Sequence, residues 1–162
     1  IMIYDNKSGS VERVRQVLKA HGTAAKIVSF DQSTRTAAEA ATAVGCEVGQ
    51  IAKSLIFKSG RTERPVLVIA RGNARVDERK VADALGEKIC RADANFVREK
   101  TGFAIGGVAP VGHMGDVVTF IDGGLGYFDK IWAAAGAPNT VFETTLDELV
   151  RMTGVNPSDI CQ

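Results

Sequence analysis

The stretch QIAKSLIFKSGRTERPVLVIAR, residues 50–71, decides the fold. Gln50 to Ser59 and Pro65 to Arg71 are rich in β-branched and large apolar residues, and the polar Gly60-Arg61-Thr62-Glu63 between them makes a turn. The two runs therefore read as strands of an antiparallel hairpin. Period-two alternation places Lys53 on the same face as Ile51, Leu55 and Phe57. An ammonium among apolar neighbours is costly unless it meets an anion or several acceptors. Either Lys53 orients a polar substrate beside a cleft, or it lies near the strand start and snorkels past the sheet edge.

Working outward from the hairpin towards the N-terminus, Val11, Val14, Val17 and Leu18 share one face of a helix that starts at Ser10 and stops at His21-Gly22. Residues 1–9 are expected to form a flexible segment. Ala25 to Phe30 reads as a short strand, Asp31 to Arg35 as a connector, and Thr36 to Val44 as an alanine-rich helix closing on Gly45. On the other side, Asp77 to Leu85 has helical spacing and Lys88 to Arg91 suits a short strand. Asp93 can cap a helix running to about Lys100. Strands are expected over Asp116 to Asp122, Lys130 to Ala135 and Thr140 to Thr144, with a turn at 123–126 and a last helix from Leu146 to Thr153. Helices and strands interleave without strict alternation, and hairpins recur, which implies one α+β domain over 1–162 with a mixed sheet.

The chain has 162 residues, 45% of them hydrophobic, enough for one sizeable core. Twenty basic residues stand against 19 acidic ones, so bulk electrostatics gives no support for coating nucleic acid, DNA included. Cys46, Cys90 and Cys161 are odd in number and far apart, which argues against a disulfide framework or a zinc site and for a reducing compartment. No apolar run approaches a membrane span and the first residues lack a signal-peptide layout, so a cytoplasmic location without membrane attachment is expected.

Gly102 to His113, GFAIGGVAPVGH, is apolar and turn-rich, and it carries no acid or base until its last residue. It matches neither phosphate-cradling glycine pattern, so it is read as a source of backbone amides for a carbonyl or oxyanion. His113 is a candidate base or donor, or else a surface histidine at the start of a strand. His21 suits a helix C-terminus. Neither histidine has an acid or thiol at metal-ligand spacing and no serine-centred elbow occurs, which disfavours metal and serine hydrolases. The small residues Ala133 to Ala137, followed by Pro138-Asn139-Thr140, make either a tight turn or a pocket wall that admits only a small group. The charges over Arg75 to Lys80 and Arg91 to Lys100 are solvated helix faces that can also meet a polyanion.

Taken in order, the Ala52-Lys53-Ser54-Leu55-Ile56-Phe57 strand, Arg75-Val76-Asp77, the Thr101 to His113 segment and Ala135-Gly136-Ala137-Pro138-Asn139 resemble the YbaK/prolyl-tRNA-synthetase-associated domain family. The resemblance implies a curved, mixed, largely antiparallel sheet flanked by short helices. It also implies a free-standing, metal-independent and cofactor-free deacylase acting on the acceptor end of mischarged aminoacyl-tRNA. Proline tRNA carrying a small non-cognate amino acid is the expected substrate, with prolyl-tRNA synthetase or an elongation factor as the expected partner. By the same resemblance Lys53, Gly106 and Gly107 are the expected catalytic residues, with water or a substrate hydroxyl as the attacking group. The expected substrate-binding set is Phe30, Ser54, Ile105, Val108, Ala109, Pro110, His113, Gly136, Pro138, Asn139 and Thr140. A branch that removes cysteine carries tyrosine at the place of Phe30 and aspartate at that of Val141, and an alanine-removing branch carries asparagine at that of Ser54. The chain therefore departs from both. Two other readings of the same cleft remain: a non-catalytic module that docks the acceptor end or a partner, and a small-molecule hydrolase or amino-acid-binding protein.

Overall fold

A computed structural model describes residues 6–162, and for 6–8 the helical backbone alone. The hairpin of residues 50–71 forms as expected. β2 (Ile51–Ser59) and β3 (Pro65–Arg71) pair antiparallel from Ala52↔Arg71 to Lys58↔Pro65. Around them the described residues build one eight-stranded sheet, ordered β1-β7-β6-β2-β3-β5-β8, with β4 pairing β2 off that path. The remaining strands are β1 (Ile27–Ser29), β4 (Ile89–Arg91), β5 (Val118–Asp122), β6 (Ile131–Ala134), β7 (Thr140–Thr144) and β8 (Pro157–Ser158). The sheet is mixed and largely antiparallel: β2 with β3 and β4, and β7 with β1 and β6, are antiparallel, whereas β2–β6, β3–β5 and β5–β8 are parallel.

The helices are α1 (Asn6–Ala20), α2 (Ala37–Val44), α3 (Glu78–Leu85), α4 (Ala94–Thr101) and α5 (Leu146–Thr153). α1 begins about a turn before Ser10 and so takes in part of the segment expected to be flexible, the rest of which, residues 1–5, lies outside the described residues. α2 starts through a capping box in which Thr36 and Glu39 satisfy each other's backbone amides. β8 is a two-residue strand that no local pattern in the sequence announces.

β3 sits at the centre of the sheet and is buried on both faces, which explains its unbroken apolar run. Its alternate side chains divide the core. Leu67 and Ile69 join Val14 and Leu18 of α1, Val97 of α4, Phe103, Val108 and Ala109 of the loop after α4, and Leu149 of α5. Val66, Val68 and Ala70 face the other way, with Val76, Val81 of α3, Ile160 and Cys161. Each fully buried large apolar side chain contributes roughly 1.5–3 kcal/mol. The loop from Gly102 to His113 is therefore part of the main core's lid and is held by it.

Candidate functional site

β2 has two different neighbours on the side away from β3. The ladder to β6 covers only Ile51 and Ala52, and the ladder to β4 covers only Phe57 to Ser59. Residues 53–56 thus face no strand on that side. Successive residues send their main-chain groups to opposite sides. Ser59 N–H donates towards β3, to Arg64 O, and Gly60 N–H donates to Lys88 O beside β4. By this alternation Ser54 turns its N–H and C=O into the break.

A cavity of about 880 Å³ occupies the break, within the rough 300–1,000 Å³ range of small-molecule sites. Its walls come from Thr34 to Ala37 and Ala40, from β2, from Arg91, Ala92, Ala94 and Val97, from Ile105, Gly106 and Val108, and from Trp132 to Ala134 and Val141. Among these described residues are three cations, Arg35, Lys53 and Arg91, and no Asp, Glu, His or Cys. Nowhere among the described residues do three His, Cys, Asp or Glu side chains gather as a metal set.

Lys53 is half-buried, and its Nζ donates to Ala74 O at 2.6 Å and Gly72 O at 3.3 Å, in the turn after β3. An ammonium has three N–H donors, so one remains for a ligand. Burial pulls its pKa below the ordinary lysine value, with Cys161 and Asp122 acting in the opposite direction. The face expected for Lys53 from alternation is the face it takes, and the carbonyls of the 72–74 turn resolve how its charge is tolerated. Asp122 is itself engaged: Oδ2 accepts from Arg71 Nε at 2.7 Å and Arg71 N–H at 3.1 Å, while Oδ1 accepts from Gly124 N–H at 2.9 Å.

The expected site residues separate into two groups. Lys53, Ser54, Ile105, Gly106 and Val108 line the cavity. Phe30, Gly107, Ala109, Pro110, His113, Gly136, Pro138, Asn139 and Thr140 lie outside its lining. Gly107 is a correction to the expectation that both loop glycines offer amides, because its N–H closes a turn onto Ala104 O at 2.9 Å and the residue is buried. Gly106 keeps its place: it has φ of 91°, a conformation that favours glycine, and a Cβ there would lie 3.0 Å from Arg35 Cγ.

The 136–140 turn lies outside the cavity lining. It is a buttress, with Pro138 O accepting from Thr34 N–H at 2.7 Å and Asn139 bonding the backbone of Phe30 in both directions. Ala137 backs the loop, since a Cβ on Gly107 would come within 3.2 Å of its backbone. Ala133 and Ala134 belong to the small-residue stretch read as a wall, whereas Thr34 to Ala37, Trp132 and Val141 are walls that sequence reasoning missed; apart from the cation Arg35 they are small or apolar, with no local signature.

His113 does not face the cavity. Nε2 lies 2.8 Å from Ala109 O, and the ring packs edge-on against Phe103 with centroids 5.0 Å apart. Burial, with a smaller contribution from Arg13, holds its pKa down at about 4, so it is neutral at pH 7.

A cavity with three cations and no acid suits an anionic ligand. The chain belongs to the aminoacyl-tRNA editing domain family, which residues 31–152 match. It is similar to an uncharacterized Bacillus subtilis protein, YwhH, with 35% identity over 76% of this chain and 78% of that protein. It also resembles part of the proline–tRNA ligase of Limosilactobacillus fermentum, 37% identical over 54% of this chain but only 16% of that enzyme. Among solved structures, one proposed as a trans-editing enzyme for prolyl-tRNA synthetase superimposes with a TM-score of 0.86 at 41% identity, covering 94% of this chain and 97% of the other. Among the described residues no helix is long and apolar enough to cross a membrane.

Proposed function

We propose that this protein is a trans-editing deacylase that hydrolyses mischarged aminoacyl-tRNA, with proline tRNA bearing a small non-cognate amino acid as its substrate. The observation that carries the reading is the meeting of Lys53 and Gly106 on one cavity that is cationic and free of acids, in a chain of the editing-domain family. Arg35 and Arg91 supply charge for the phosphodiester backbone of the acceptor end. The small residues Ala37, Ala40, Ala133 and Ala134 leave room for a short aminoacyl side chain. Preference for a smaller group is limited to about 1–3 kcal/mol per methylene, so the site works by sterically excluding the larger cognate residue.

The chemistry is ester hydrolysis. Water adds to the aminoacyl carbonyl carbon, the bond to the ribose oxygen breaks, and that oxygen leaves as a hydroxyl after taking a proton. Lys53 directs its remaining N–H, and Gly106 its backbone, towards the oxygen on which negative charge develops. No lining side chain is a suitable general base, so the proton of the attacking water passes to a second water or to the neighbouring ribose hydroxyl.

The test is deacylation of proline tRNA charged with alanine, cysteine, serine or proline, by the wild-type chain and Lys53→Ala. At least one mischarged species is expected to lose its amino acid faster than the proline form, and Lys53→Ala to lose about 100-fold or more of that rate. Rates equal to spontaneous hydrolysis on every species refute the reading. Tight binding without turnover would instead identify a docking module.

A further inference from the structure

Both ends of the loop that carries Ile105, Gly106 and Val108 are held by one side chain from a distant helix. Arg13 of α1 donates through Nε to Gly112 O and through Nη2 to Gly102 O, each at 2.9 Å. Its guanidinium carbon lies 5.0 Å from the centroid of Phe103, which is 1% exposed. The fork geometry of arginine, with Nε and Nη2 both donating, is what lets one group span two carbonyls ten positions apart in the chain. Two glycines admit it. Gly102 and Gly112 have φ of 78° and 85°, a Cβ on Gly102 would lie 2.6 Å from Arg13 Nη2, and one on Gly112 would lie 3.1 Å from Val14 N. Met114 N–H closes the same ring onto Thr101 O at 3.0 Å, and His113 braces the inside of the loop through Ala109 O and the edge of Phe103.

Arg13 itself is absent from the cavity lining, and α1 lies outside residues 31–152, the part of the chain that matches the family. We propose that Arg13 is a positioning residue: it fixes the conformation of residues 103–111, and through it the placement of Gly106 at the cavity, so that α1 is part of the working site. The kinetic arm of this proposal rests on the deacylase reading above; its structural arm does not. A backbone clamp must be held within fractions of an ångström to act on a transition state, and a misplacement of about 1 Å can cost roughly 100-fold in rate. A residue that merely glued helix to loop would change stability and leave turnover per folded molecule alone.

The experiment compares wild type, Arg13→Ala and Arg13→Lys by hydrogen exchange with mass spectrometry and by deacylation kinetics. In Arg13→Ala the amides of 103–112 are expected to exchange about tenfold faster or more, with those of β2 and β3 unchanged. On a substrate that wild type deacylates, kcat is expected to fall about 10–100-fold with little change in KM for the tRNA. Low millimolar guanidinium is expected to restore part of the loss in Arg13→Ala. Arg13→Lys keeps the charge but not the fork, and is expected to recover only part of kcat. Unchanged exchange in the loop overturns the proposal, and so does faster loop exchange with unchanged kcat. If wild type deacylates nothing, the deacylase reading fails by itself and the exchange data alone decide whether Arg13 fixes the loop.

Discussion

His113 makes the stability of this protein depend on pH in a window where few other groups contribute. Its ring is buried against Phe103 and its Nε2 bonds Ala109 O, so protonation in the folded state would place a second charge inside the lid of the main core, near Arg13. The folded-state pKa is about 4, below the usual 6.5 of an unfolded chain. The unfolded state therefore takes up the proton first as the pH falls. The stabilisation from a neutral His113 is complete above about pH 6.5 and is lost progressively as the pH drops towards 4. At about 1.4 kcal/mol per pH unit the full effect is about 3 kcal/mol, and about 2 kcal/mol of it falls between pH 7 and 5. Glu87, held at about 2 first by the backbone N–H of Thr62, and Asp122, whose hydrogen bonds from Gly124 and Arg71 outweigh its burial and lower its pKa, both lose their protons below that window.

The assay is urea unfolding of wild type and His113→Gln at pH 7, 6 and 5. Glutamine keeps an N–H to offer Ala109 O and does not titrate. Wild type is expected to lose about 2 kcal/mol more than the variant between pH 7 and 5. Superimposable pH dependences would show that His113 charges as easily in the folded state as in the unfolded one, and the account of the loop as a sealed lid would be wrong.

Two further outcomes follow from atoms with poor surroundings or none to spare. Ser54 Oγ is buried and has no hydrogen-bond partner among the described residues, so Ser54→Ala is expected to raise stability by about 1 kcal/mol in urea; a fall would mean that the hydroxyl is satisfied in solution. Gly136 has φ of 106° and a Cβ there would lie 2.9 Å from the backbone C and O of Ser10, so Gly136→Ala is expected to cost about 2 kcal/mol and lower Tm by roughly 4–8 °C; an unchanged Tm would show that α1 moves aside freely.

The parts of this fold that local chemistry determines are the parts that could be read from the chain. The hairpin of 50–71, the inward face of Lys53, and the helices capped by Thr36, Asp77 and Asp93 all depend on alternation, a turn or an N-cap within a few residues. The cavity does not. It exists because β6 and β4, which come from residues 131–134 and 89–91, meet the same edge of β2 and leave 53–56 between them. No pattern within β2 tells which strands lie beside it. The same limit explains Gly107 and the 136–140 turn. Glycines and a proline signal tight backbone, but whether an amide points to a ligand or closes its own turn, as Gly107 N–H does onto Ala104 O, depends on the next dihedral angles. Arg13 sits 89 and 99 positions from the carbonyls it holds, and nothing in its neighbourhood along the chain distinguishes it from any other basic residue on a helix.

The arrangement of charge around the cavity constrains how any hydrolysis there can work. With Arg35, Lys53 and Arg91 lining it and no acid or imidazole, proton removal by a side chain cannot be the main source of rate, and positioning with electrostatic stabilisation must supply it. Beyond Lys53, that requirement falls on backbone, because the loop presents Ile105, Gly106 and Val108 and no ionisable group. Backbone held only by its own turn would fluctuate at the surface. Here it is fixed from beneath by the main core, from behind by Ala137, and at its two ends by Arg13, with neutral His113 filling the inside. On the proposed function, the loop's charged and polar neighbours would act on the reaction by holding the loop still, and their substitution should appear in kcat and in loop exchange before it appears in tRNA affinity.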